Sequence, residues 1–187
     1  HRFVCAKELG IPLYYKVIEG ANLYDYAKAT SVVKKWSSAD WAEYHASTGD
    51  QDYVKLKGLG TQFNLRLTTA IPLAESGSTR DRSSFIEKMR DKKFHVKNWG
   101  DAFARAKMLQ EVREIPAKTG EYASYHNAWI AVSRHQRYNH KHFMMKLRKY
   151  VSLIREEPHT DLYIKSILTV YNYRTKKEDK ISYSEFE

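Results

Sequence analysis

From about residue 23 onward the rhythm of the apolar residues changes, and with it the kind of structure the chain can form. Before that point "IPLYYKVI" is dense in β-branched and aromatic residues and reads as a strand. After it, apolar residues recur at intervals of three and four, which is the period of an amphipathic helix. In "SSADWAEYHASTG" Ser37 and Asp40 form a capping box, Trp41 and Tyr44 share a face, and Gly49 stops the helix. "DQDYVKLKGLGTQF" repeats the scheme, with Asp50 or Asp52 as cap and Tyr53 and Leu56 inward. A shorter helix is expected through "TTAIPLAES", where Pro72 is acceptable only in a first turn. "FHV" is a short strand or an extended link. The next helix places Phe103, Ala106, Leu109 and Val112 inward, and Pro116 and Gly120 close it. Three more follow: Tyr122 to Val132, a run from Asn139 to Ile154, and a last one on Ile164, Ile167, Leu168 and Tyr171 capped by Thr160 or Asp161.

The opening stretch "HRFVCAKELGIPLYYKVIEG" carries Phe3, Ala6 and Leu9 at helical spacing, Gly10 as a helix stop, and then the strand, over about residues 12–18. The expected class is therefore α+β, a helix-strand unit followed by a mainly α-helical region. A lone strand leaves its backbone groups unpaired, so its neighbours are expected upstream of His1, in a longer protein. The expected segments are the helix-strand unit at 1–22, a helical extension at 23–75, a polar linker at 76–84, a basic helical domain at 85–175 and a flexible tail at 176–187.

Charge narrows the partner. Lysine and arginine outnumber aspartate and glutamate 32 to 22, a formal net charge of +10. Such a surplus favours a polyanion, because each neutralised phosphate releases condensed counterions. Nucleic acid, foremost double-stranded DNA, is the expected partner. No apolar run approaches the roughly 20 residues of a spanning helix and no secretory or lipidation motif is seen, so no membrane partner and a cytoplasmic, intracellular setting are expected. The lone Cys5 permits no internal disulfide. A homodimer is left open.

Three constellations could carry chemistry. His1 and Arg2 begin a helix, where unpaired N–H groups and a guanidinium fork attract phosphate. In "VVKKWS", Lys34 and Lys35 can reach a phosphate backbone while Trp36 stacks on a base or packs in the core. From Tyr122 through Arg155 there is no acidic residue, while Arg134, Arg137, Lys141, Lys146, Arg148, Lys149 and Arg155 accumulate beside four histidines. Lys141, Arg148 and Arg155 are spaced by seven and would stay near one helical face. The competing reading of this belt is a solvated surface without a partner. His135, His140 and His142 lie close together, yet no cysteine or carboxylate stands nearby to complete a metal site, and cations surround them. The abundant tyrosine and tryptophan mostly fall on inward helical positions, as core before stacking platform.

These residues resemble a known group. "HRFVCAKELGIPLYYKVIEG" is similar to the end of the ParB/sulfiredoxin-type domain, whose phosphate-binding turn ends in His-Arg before a helix, an "LG-P" and a strand. "ATSVVKKWSSADWAEYHASTGDQDYVKLKGL" resembles a phage and mobile-element branch of that superfamily, through Lys34, Lys35, Trp36, Ser37, Asp40, Trp41, Gly49, Asp52 and Tyr53. "NHKHFMMKL" and "VYNYR" resemble its closing helices. The resemblance implies that residues 1–22 are the remnant of such a domain, with a phosphate or nucleotide pocket at His1 and Arg2, and that the chain binds DNA. It also implies a second reading, a nucleotide-using enzyme (CTP hydrolysis, phosphotransfer or nuclease) with CTP or ATP and Mg in the full-length protein. Catalytic residues for that reading are unassigned, since the glycine-rich turn and the sulfiredoxin cysteine would precede His1, and Cys5 follows the motif.

Overall fold

Ser37 starts the helix that follows it as its sequence requires. Its hydroxyl accepts from the Asp40 N–H, and the Asp40 carboxylate accepts from the Ser37 N–H at 2.8 Å, so two donors at the helix start are satisfied reciprocally. In this computed structural model the described residues are 36–75 and 83–186, with 19, 20, 22, 24–26 and 28. His1–Trp36 forms one unit and Ser37–Glu187 another. In the first unit, Asn22 and Asp25 exchange the same kind of reciprocal side-chain bonds, at 3.0 and 3.2 Å.

The second unit is built of α1 (Ser38–Ser47), α2 (Gln51–Gln62), α3 (Leu67–Glu75), α4 (Ser83–Arg90), α5 (Trp99–Arg113), α6 (Ala123–Ser133), α7 (His140–Tyr150) and α8 (Thr160–Asn172), with short 3-10 turns between and after them. Gly49, at φ +87°, provides the left-handed turn between α1 and α2, a conformation open to glycine without strain. The core centres on α6, which packs against α8, α3 and α5. Tyr125, Ala128, Trp129, Ile130 and Val132 are all fully buried there, so α6 is covered on every side rather than along one stripe.

The α+β class is corrected. Among the described residues every regular element is helical and no strand or sheet is present. The helix expected over 3–9 and the strand over 12–18 lie outside the described residues. "FHV" is the extended link of the two forms expected. Phe94 is buried edge-on to Tyr53 at 5.3 Å, so this apolar residue plugs the core where no neighbouring backbone offers a ladder. Elements on both sides of the expected linker at 76–84 belong to the second unit; residues 76–82 are outside the description and α4 begins at Ser83.

Three local expectations also change. Pro72 lies in the sixth position of α3, not its first turn, and its carbonyl accepts a hydrogen bond from the Arg134 guanidinium. α7 ends at Tyr150 and a 3-10 turn, Val151–Leu153, follows, so the helix stops short of Ile154. The residue before the first turn of α8 is His159, whose side chain makes no capping bond. The tail, for which flexibility is expected, lies against α8 in this structure. Ile181 is buried and its N–H and carbonyl both pair with the Asn172 side chain at 3.0 and 2.8 Å, while the Lys165 ammonium lies over the Tyr183 ring. Few apolar residues suffice here because the tail's backbone finds polar partners on α8. No helix among the described residues is long and apolar enough to cross a membrane.

Candidate nucleic-acid interface

The belt of cations is laid out by the loop between α6 and α7 and by α7 itself. That loop is pinned from below. The Tyr171 hydroxyl donates to the Arg137 carbonyl at 2.7 Å and accepts from the Asn139 N–H at 3.1 Å. The Trp129 indole donates to the Tyr138 hydroxyl at 2.9 Å, and Tyr138 stacks on Tyr171. Burial pushes the Tyr138 phenol well above its ordinary range, so it keeps its proton. Asn139 then caps α7 by accepting from the His142 N–H at 2.9 Å.

On this frame the predicted cations divide into two sets. Arg134 is turned inward to the Pro72 carbonyl, and burial lowers its pKa, with Arg105 adding to the effect. Lys146 is buried and donates to the Tyr173 carbonyl at 2.5 Å. Arg137 is neutralised by Glu185, whose carboxylate also meets His135 at 2.9 Å. These cations hold the fold together. Lys141, Arg148 and Arg155 are exposed and have no partner among the described residues, and Lys149 is exposed with its ammonium 5.6 Å from the centre of the Tyr150 ring. Because α7 ends at Tyr150, the spacing of seven puts Lys141 and Arg148 on one helical face but does not extend to Arg155. His1, Arg2, Lys34 and Lys35 lie outside the described residues. Trp36 is half-buried.

Lys141 and Arg148 line a groove of about 770 Å³ together with Asn139, His140, Met145 and, from α5, Glu111. The three clustered histidines diverge. His135 faces Glu185, His140 faces Tyr138 through Nδ1 at 3.1 Å, and His142 reaches the Tyr171 carbonyl and the Thr175 hydroxyl through Nε2. The sequence offers no sign of Glu185, which stands 48 residues from Arg137, nor of Glu111 at the groove. Only the lack of carboxylates in the run from Tyr122 to Arg155 hints that carboxylates from elsewhere answer it.

Two other histidines are structural. His126 donates through Nε2 to the Gly120 carbonyl at 2.6 Å, and His45 pairs through Nε2 with the Met89 carbonyl at 2.9 Å. The Gly120 position admits no side chain, since a Cβ there would stand 1.8 Å from the Arg113 carbonyl oxygen. Burial lowers the pKa of both rings; beside His126, Arg113 and Arg66 lower it further. Both rings are thus neutral in the fold, and the unfolded chain takes up protons first as pH falls below about 6.5. Stability from this source is complete above that value and declines beneath it. Glu185 acts in a lower window. Hydrogen bonds from the Ser182 backbone, His135 and Arg137 hold its carboxyl down to about 2, so its contribution is present above about 4.5 and fades as pH falls from there. Thermal melts from pH 8 to 4 should show Tm falling from about 6.5 downward, and His126→Gln should flatten that decline. A Tm unchanged between pH 7 and 5 would contradict this.

Comparison of the chain with protein-family models, with curated proteins and with solved structures returns no match.

Proposed function

We propose that this protein binds nucleic acid, with double-stranded DNA as the expected form, by setting the exposed face of α7 and the segment after it against the phosphate backbone. The observation that carries this reading is the exposure of Lys141, Arg148 and Arg155, unpartnered among the described residues, in a run that has no carboxylate of its own. Cations so placed contribute little to the fold, and each would gain by replacing condensed counterions on a phosphate. The resemblance to DNA-binding ParB/sulfiredoxin-type proteins supports the same reading. The phosphate pocket it implies at His1 and Arg2 would add further anion-binding groups, as would Lys34 and Lys35.

Interactions with phosphates position a protein on the duplex without reading its sequence. Binding is therefore expected to be similar for unrelated duplexes and steeply dependent on salt. Fluorescence anisotropy of a labelled duplex across a salt series tests this. With three to four phosphates neutralised, log K should fall against log salt with a slope of roughly −3. A flat salt response, or no binding at low salt, would remove the proposal.

A further inference from the structure

We propose that the groove between α5 and α7 takes one unpaired nucleotide of a nucleic-acid strand, an inference that rests on the nucleic-acid reading above and adds to it the form of strand recognised. Lys141, Met145 and Arg148 are separated by four and three residues, so they form one stripe along α7. At about 1.5 Å per residue the cations stand roughly 10 Å apart along the axis, and their long side chains can close on the phosphates flanking a single nucleotide. Between them Met145 is 59% exposed.

That methionine is a poor neighbour for a duplex backbone. Sugars and phosphates laid against it would lose hydration and gain little in return. A base has a flat, polarisable face, and covering Met145 with one removes apolar surface from water on both partners. The space agrees. A groove of about 770 Å³ is within the range of small-molecule sites, roughly 300–1,000 Å³, and far larger than a phosphate alone requires.

The opposite wall carries the complementary charge. The Trp129 indole donates to the Tyr138 hydroxyl, which in turn pairs with His140 Nδ1 at 3.1 Å. His140 Nε2, buried and without a hydrogen-bond partner among the described residues, stands 3.5 Å from the Glu111 carboxylate. Glu111 lines the groove from α5, and its carboxylate is an acceptor there. It repels phosphate at that end and suits the N–H groups of a base edge. The phosphates are directed to Lys141 and Arg148, and the base to Met145 and Glu111.

The test compares a blunt duplex with the same duplex bearing a short single-stranded overhang, by anisotropy at one salt concentration. The wild-type protein should bind the overhang form about tenfold more tightly. Met145→Ser should remove that preference and leave blunt-duplex affinity unchanged, whereas Met145→Leu should keep it; thermal melts verify that both variants fold. Millimolar adenosine monophosphate, whose phosphate would occupy Lys141 and Arg148, should erase the preference and weaken blunt-duplex binding as well. Equal wild-type affinity for the two duplexes, or a preference that survives Met145→Ser, overturns the inference and leaves the nucleic-acid reading standing. Binding of the mononucleotide without any overhang preference overturns it too, assigning the groove to a free nucleotide. Absence of salt-dependent binding to either duplex overturns the nucleic-acid reading, and this inference with it.

Discussion

Reversing Lys141, Arg148 and Arg155 to glutamate together is expected to weaken duplex binding by about a hundredfold or more at moderate salt, alike for unrelated sequences, and to reduce the salt slope by roughly 0.9 for each phosphate no longer neutralised. The three side chains are exposed and unpartnered among the described residues, so the substitutions should leave Tm within a few degrees of the parent. That separates them from Arg134 and Lys146. Reversing either of those would place a carboxylate against a main-chain carbonyl, at Pro72 or Tyr173, and disturb the fold before any binding could be read. Alanine at Lys34 and Lys35 should release at most two phosphates. Unchanged affinity in the triple reversal, with the fold intact, would exclude the α7 face from binding.

The largest effect on stability is expected at Trp129. Its ring is fully buried in the helix around which the core is built, and its indole N–H is committed to Tyr138. Trp129→Ala should cost about 3–5 kcal/mol, the usual range for deleting a buried aromatic side chain. It would also take away the donor that steadies the Tyr138 hydroxyl in the loop before α7. In a unit of this size the loss corresponds to a Tm lower by about 10 °C or more. Trp36, half-buried, should cost much less as alanine. Urea titration of both variants measures the contrast, and a Trp129→Ala loss below about 1 kcal/mol would show that α6 is not the centre of the core.

What can be read from the sequence is what neighbouring residues decide among themselves. The box of Ser37 and Asp40 and the inward Tyr53 and Leu56 need only helical spacing and a cap within one turn, and both are found as expected. The failures have a different origin. Lys146 looks in the sequence like another member of the belt, and only the fold shows its ammonium committed to a carbonyl 27 residues away. The period that places Arg155 on the stripe holds only while the helix continues, and the helix ends first. Local rules admit Pro72 only to a first turn because they penalise it anywhere else in a helix. The guanidinium that meets its carbonyl comes from the end of α6, which packs against α3, 62 residues on in the sequence.

The position of Glu185 changes how a salt titration should be counted. Its carboxylate sits on Arg137 and beside His135, so this part of the belt carries a counterion that belongs to the chain. A phosphate arriving at Arg137 would displace that carboxylate rather than a dissolved ion. The displaced group stays tethered beside the nucleic acid, where its charge draws dissolved cations back and offsets part of the release from the phosphate. Such an interaction would contribute less to the slope of log K against log salt than one made by Lys141 or Arg148. The number of cations touching nucleic acid would then exceed the number that the slope returns, and the difference would measure the charge that the protein neutralises for itself.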